Sequence, residues 1–191
     1  MDLVEAGDFL RWAAGHSIVP DPAFREWPGQ APLRFATVPP CWRRWIAPEA
    51  PFNLPGFASC LLACAAPKST VYLFIKGSAP WFTGSDATSG PEWEYLRDRI
   101  VGTLPIPRDF CGALKLAPSE TDDAVLLMVT FLVYAWCVTD DLQIIAERGD
   151  VIVQTSHHGD VVVHCSNEAR LKSVVSCMLE RGFTPFDEEQ T

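Results

Sequence analysis

Residues 124–138 read Ala-Val-Leu-Leu-Met-Val-Thr-Phe-Leu-Val-Tyr-Ala-Trp-Cys-Val, with no charged side chain among them. Asp122 and Asp123 precede the run, and Asp140 and Asp141 follow it. Its reading decides between a membrane protein and a globular one. Crossing a hydrocarbon core of ~30 Å takes about 20 apolar residues. At ~1.5 Å per residue this run reaches about 22 Å. Its flanks are acidic, and no cluster of Lys or Arg stands beside it to orient a span. The run therefore predicts a buried helix in a folded core. Ser119 is placed to cap that helix, and Glu120, Asp122 and Asp123 set negative charge at the positive end of its dipole. A helix apolar on all sides is expected to be covered on all sides. Val, Thr, Phe and Tyr also suit a strand, but the run is longer than strands usually are.

Downstream of the run, Leu142–Ala146, Val151–Thr155 and Val161–Cys165 read as three short strands. Turn-like segments carrying Gly149 and Gly159 separate them, which predicts an antiparallel meander. Ser166 is expected to cap a last helix whose Leu171, Val174, Val175, Met178 and Leu179 follow helical core spacing. Gly182 closes that helix. Residues 119–182 thus form a helix–meander–helix core, and 187–191 an acidic, solvated tail.

Upstream, Leu3, Val4, Phe9, Leu10, Trp12 and Ala13 suggest an amphipathic helix near the start. Residues 17–55 hold nine of the sixteen prolines, which limits regular structure to short pieces. Phe24, Trp27, Phe35, Trp42, Trp45 and Phe52 are expected to anchor this segment as an irregular wrap. Asn53 and Pro55 mark a helix entry, and Pro67 ends that helix. Residues 70–76 are a strong strand. A loop from Gly77 to Thr88 and a helix from Ser89 to about Val101 should follow, and Phe110–Leu116 suits another strand. The order of elements predicts a single α+β domain over residues 1–191, with helices packed on one face of a mainly antiparallel sheet.

Composition narrows the function classes. The chain has 191 residues, 48% of them apolar, and a net charge of −9. Residues 139–191 carry ten acidic and four basic side chains, a local net charge of −6. Such a surface disfavours nucleic acid, whose phosphates need Lys and Arg; it would attract a basic protein partner, and it also serves plain solubility. The seven cysteines form no Cys-x-x-Cys pair. Cys60, Cys64, Cys137 and Cys177 sit among apolar neighbours, so buried free thiols in a reducing cytoplasm are expected. The start, with Asp2, Glu5 and Asp8, lacks a basic-then-apolar leader, so secretion by that route is not expected.

Few residues suggest chemistry. His157, His158 and Asp160, with His164 close by, can supply imidazole and carboxylate for acid–base work or for a metal. Adjacent side chains on an extended backbone diverge, however, so no metal and no cofactor are expected. The same alternation separates His164 from Cys165, which argues against a thiol–imidazole pair. Asp140 and Asp141 resemble a paired-carboxylate site. Trp42-Arg43-Arg44-Trp45 unites residue types that dominate protein interfaces, and Trp81-Phe82 is a second contact candidate.

The leading expectation is a non-catalytic, cytoplasmic protein-binding module. A small, acidic α+β chain of this kind resembles, in general character and through no motif, the bacterial immunity proteins that neutralise basic toxins. The alternatives are a small hydrolase or transferase using His157 or His158 with Asp160 or Asp140, and a self-assembling homo-oligomer.

Overall fold

The computed structural model describes residues 1–24, 31–36, 41–75, 81, 99, 104–107, 109–133, 141–156 and 158–186. In chain order the elements are β1 (Asp2–Glu5), α1 (Ala6–Gly15), β2 (Ile18–Pro20), β3 (Leu33–Phe35), β4 (Cys41–Ile46), α2 (Leu54–Ala65) and β5 (Val71–Ile75). They continue with β6 (Gly112–Leu116), α3 (Thr121–Val133), β7 (Leu142–Ala146), β8 (Val151–Thr155), β9 (Asp160–Cys165) and α4 (Glu168–Glu180). Seven strands make one sheet in the order β1-β6-β5-β7-β8-β9-β4, and β2 and β3 form a separate ribbon. Every pairing among these strands is antiparallel. The α+β fold and the β7–β8–β9 meander followed by a helix are as expected, and Gly149 (φ +65°) and Gly159 (φ +79°) make its two turns.

Side chains alternate across the sheet. Leu73, Leu114, Ile144, Val153 and Val163 point to one face, where α2, α3 and α4 complete the larger core with Leu61, Leu127, Val174 and Met178. Tyr72, Phe74, Ala113, Ile145 and Ile152 point to the other, where Phe9 and Ala13 of α1 meet Ile18, Leu33 and Phe35 of the ribbon. Both faces are therefore covered, whereas the sequence suggested helices on one. Leu3 and Val4 also depart from expectation. They lie in β1, opposite Leu114 and Ala113 of β6, and the first helix starts only at Ala6.

The charge-free run is helical through Val133, and its remainder lies outside the described residues. Ala124, Leu127, Met128, Phe131 and Leu132 form a buried stripe at helical spacing, while Leu126 is 40% exposed. The helix is thus an outer layer covered on one side, not a central rod. Its start also differs. Ser119 lies in a single 3-10 turn, and the Glu120 carboxylate accepts the Ala117 N–H at 2.8 Å. Asp122 and Asp123 occupy the first turn as anticipated.

At the last helix Asn167, not Ser166, is the cap, accepting the Arg170 N–H at 2.9 Å. The Ser166 N–H is held by the Asp150 carbonyl at 3.0 Å, which keeps Ser166 out of the helix. Leu171, Val174 and Met178 are buried, but Leu179 is half exposed. Gly182, at φ +84°, ends the helix and lets the Phe183 N–H return to the Met178 carbonyl at 3.0 Å. Of the aromatic anchors in the wrap, Phe35 and Trp45 are buried, whereas Phe52 is 83% exposed and Trp27 lies outside the described residues. The loop and helix expected over 77–101 also lie outside them, apart from Trp81 and Arg99.

Cys64 of α2 and Cys177 of α4 form a disulfide, with Cα atoms 5.7 Å apart across 113 residues of sequence. This corrects the expectation of free thiols at both positions. Two helices lying side by side on the sheet bring them together, and no sequence spacing signals it. Among the described residues no helix is long and apolar enough to cross a membrane.

Candidate functional site

The Trp-Arg-Arg-Trp segment is β4, at the edge of the sheet, and strand alternation splits its four side chains. Trp45 turns into the larger core at 1% exposure, and its Nε1–H donates to the Phe183 carbonyl at 3.4 Å. Arg44 turns the other way and pairs with Asp160, which it meets diagonally across β4 and β9. Its guanidinium also lies over the Phe186 ring at 5.3 Å, and its carbonyl accepts the Phe186 N–H at 2.7 Å. Trp45 and Arg44 are thereby committed within the fold. Trp81 is likewise internal, 1% exposed, with Nε1–H donating to the Gly112 carbonyl at 2.9 Å. Burial removes both tryptophans from the set of surface contacts, and Phe82 lies outside the described residues.

Trp42 and Arg43 remain accessible. With α4 they border a groove of about 560 Å³. Leu171 and Val175 supply its apolar side, and Arg43, Lys172 and Glu168 carry its charges. The Arg43 Nη1–H donates to the Trp42 carbonyl at 2.9 Å, which protects part of the β4 edge. A second cavity of about 320 Å³ lies between the end of α2 and the start of α3, near Pro67, Lys68 and Thr121.

His157 and Asp140 lie outside the described residues. His158 is exposed in the β8–β9 turn, where its backbone N–H donates to Ser156 Oγ at 3.1 Å. Asp160 is 6% exposed and engaged with Arg44. Asp141 is also buried, and its Oδ2 accepts from Gln154 Nε2 at 3.0 Å. Gln154 in turn accepts from Gln143 Nε2 at 3.2 Å. Gln143 spans the Leu33 backbone, accepting its N–H and donating to its carbonyl, each at 2.8 Å. Sequence reasoning missed Gln143. Its one signal is a polar amide inside the apolar strand Leu-Gln-Ile-Ile-Ala.

His164 and Cys165 take opposite faces. Burial pushes the His164 imidazole down to about 4, although the Asp21 carboxylate works in the other direction. Arg34 Nε stands 3.4 Å from that carboxylate. Burial pushes the Cys165 thiol up to about 12. A neutral histidine on one face and a protonated thiol on the other do not make a nucleophile–base pair. Among the described residues no three His, Cys, Asp or Glu side chains are grouped to hold a metal ion. Among the described residues, β4 and α4 offer apolar and charged side chains around one groove.

Comparison with protein-family models, with curated proteins and with solved structures finds no match to this chain.

Proposed function

We propose that this chain is a non-catalytic protein-binding module whose contact surface is the β4–α4 groove. One observation carries the reading. Trp42 and Arg43, picked out by residue type, border a groove of about 560 Å³ whose apolar side is Leu171 and Val175. The net charge of −9 supports a basic protein as the occupant, drawn in by the long-range field and held by an apolar side chain seated in the groove. Neutralising a basic partner, as immunity proteins do, fits this chemistry. The expectation of a cytoplasmic location rested in part on reduced thiols. A persistent Cys64–Cys177 disulfide favours an oxidising compartment instead.

Tagged protein, purified at low salt from its native cell, tests the reading against a Val175→Glu variant whose fold is checked by circular dichroism. Wild-type protein captures a basic partner whose affinity falls as salt rises, and V175E loses at least about tenfold in affinity, the equivalent of ~1.4 kcal/mol. Binding that is indifferent to V175E, or a native protein recovered without a partner at low salt, overturns the proposal. A self-associating chain would instead show a concentration-dependent sedimentation coefficient.

A further inference from the structure

Cys41 and Cys165 are direct Cα partners on β4 and β9. The Arg44 carbonyl faces Phe186, away from β9, so by alternation Cys41 turns its backbone toward β9. Directly opposed, hydrogen-bonded residues of antiparallel strands have Cα atoms about 5.5 Å apart, within the range of about 4.4–6.8 Å that a disulfide spans. The Cys64–Cys177 bridge has nearly the same separation, 5.7 Å. Both side chains belong to the α2–α4 face, Cys165 inside the core and Cys41 packed against it. Cys41 also borders the groove beside Arg43 and Lys172, whereas Cys165 is 2% exposed.

We propose that Cys41 and Cys165 are a thiol–disulfide exchange site that takes an anionic low-molecular-weight disulfide of the glutathione type and closes to a second, cross-strand bridge. The Cys41 thiolate attacks one sulfur of the small disulfide, forms a mixed disulfide and expels one small thiolate. The Cys165 thiolate then attacks Cys41 Sγ, and the second small thiolate leaves. The two protein thiols lose two electrons, the small disulfide gains them, and the two cysteine protons end on the two released thiols. Arg43 and Lys172 offer positive charge to the carboxylates of the incoming molecule, and outnumber the Glu168 carboxylate that opposes them at the same groove. The Arg170 guanidinium favours the Cys165 thiolate, while Asp150 and Cys41 oppose it. Burial holds the Cys165 thiol up at about 12, which lowers its thiolate fraction, while its place directly opposite Cys41 makes the second attack intramolecular.

The test uses the full chain, with Cys64–Cys177 intact, incubated with oxidised glutathione at mildly alkaline pH. It is then unfolded under iodoacetamide, digested with trypsin and read by mass spectrometry. Trypsin leaves Cys41 in the peptide 35–43 and Cys165 in 149–170, each with no other cysteine. The expected product is these two peptides joined by a disulfide. A Cys165→Ser variant, its fold checked by circular dichroism, should stop at glutathionylated Cys41. The proposal is overturned if wild-type Cys41 stays glutathionylated while Cys165 is alkylated, if Cys41 is never oxidised, or if it joins a different cysteine.

Discussion

The same strands present two faces, and the faces are covered by different means. On one, α2, α3 and α4 lie over Leu73, Leu114, Ile144, Val153 and Val163. On the other, α1 covers an aromatic end, with Phe9 and Phe74 ring centroids 4.8 Å apart and Trp12 and Tyr72 4.2 Å apart. The β2–β3 ribbon covers an end that carries Gln143, with Gln154 and His164 on the same side. A helix satisfies its backbone internally, so it can rest on a purely apolar surface. A two-stranded ribbon has outer N–H and C=O groups that need partners once buried. Gln143 supplies both for Leu33. The cover that brings unpaired backbone demands polar side chains beneath it.

Placing a charge on the apolar face should have the largest effect. Leu127 is fully buried, and Leu127→Asp is expected to cost about 4 kcal/mol or more and abolish the cooperative unfolding transition. A well-folded L127D protein in near-ultraviolet circular dichroism would refute the helical cover as described.

The second face should respond to pH. His164 is held neutral in the fold, down to about 4, against an ordinary value of 6.5. Between those values the unfolded chain binds the proton and the folded chain does not. Stability from this group is therefore intact above 6.5 and is lost as pH falls toward 4. The loss by about pH 4 is about 3 kcal/mol, at ~1.4 kcal/mol per unit. Urea midpoints across that window should fall more steeply for wild type than for His164→Asn, and parallel curves would contradict the assignment.

Gln143→Ala should cost about 2 kcal/mol, by leaving the Leu33 N–H and C=O without partners. The sheet should survive. Faster amide exchange at Leu33, with α2–α4 protection unchanged, would separate the two covers, whereas uniform loss of protection would merge them.

Much of this was legible locally. β-Branched and aromatic content placed β5, turn chemistry divided the meander β7–β9, and Pro55 and Pro67 bounded α2. Glycine marked both meander turns and the end of α4, because each needs a positive φ. The candidate site was legible only in part. Trp42-Arg43-Arg44-Trp45 drew notice by residue type, yet only Trp42 and Arg43 border a groove. Which side of an edge strand faces the core depends on what packs there, so Trp45 could not be told from a surface tryptophan. Leu3 and Val4 misled because a short apolar stretch suits a helix or a strand until its neighbour, β6, is known.

By itself the sequence determined the local alphabet of this protein: an α+β order of elements, an acidic surface and a charge-free helix too short to span a bilayer. These follow from periodicity, turn chemistry and charge, which act over a few residues. Tertiary structure alone decided that α3 is covered on one side, that Cys64 meets Cys177 across 113 residues, that Cys41 faces Cys165, and that Gln143 holds Leu33. Each of those joins segments distant in sequence. Such contacts are selected by the summed burial of the whole core, and no local pattern records that sum.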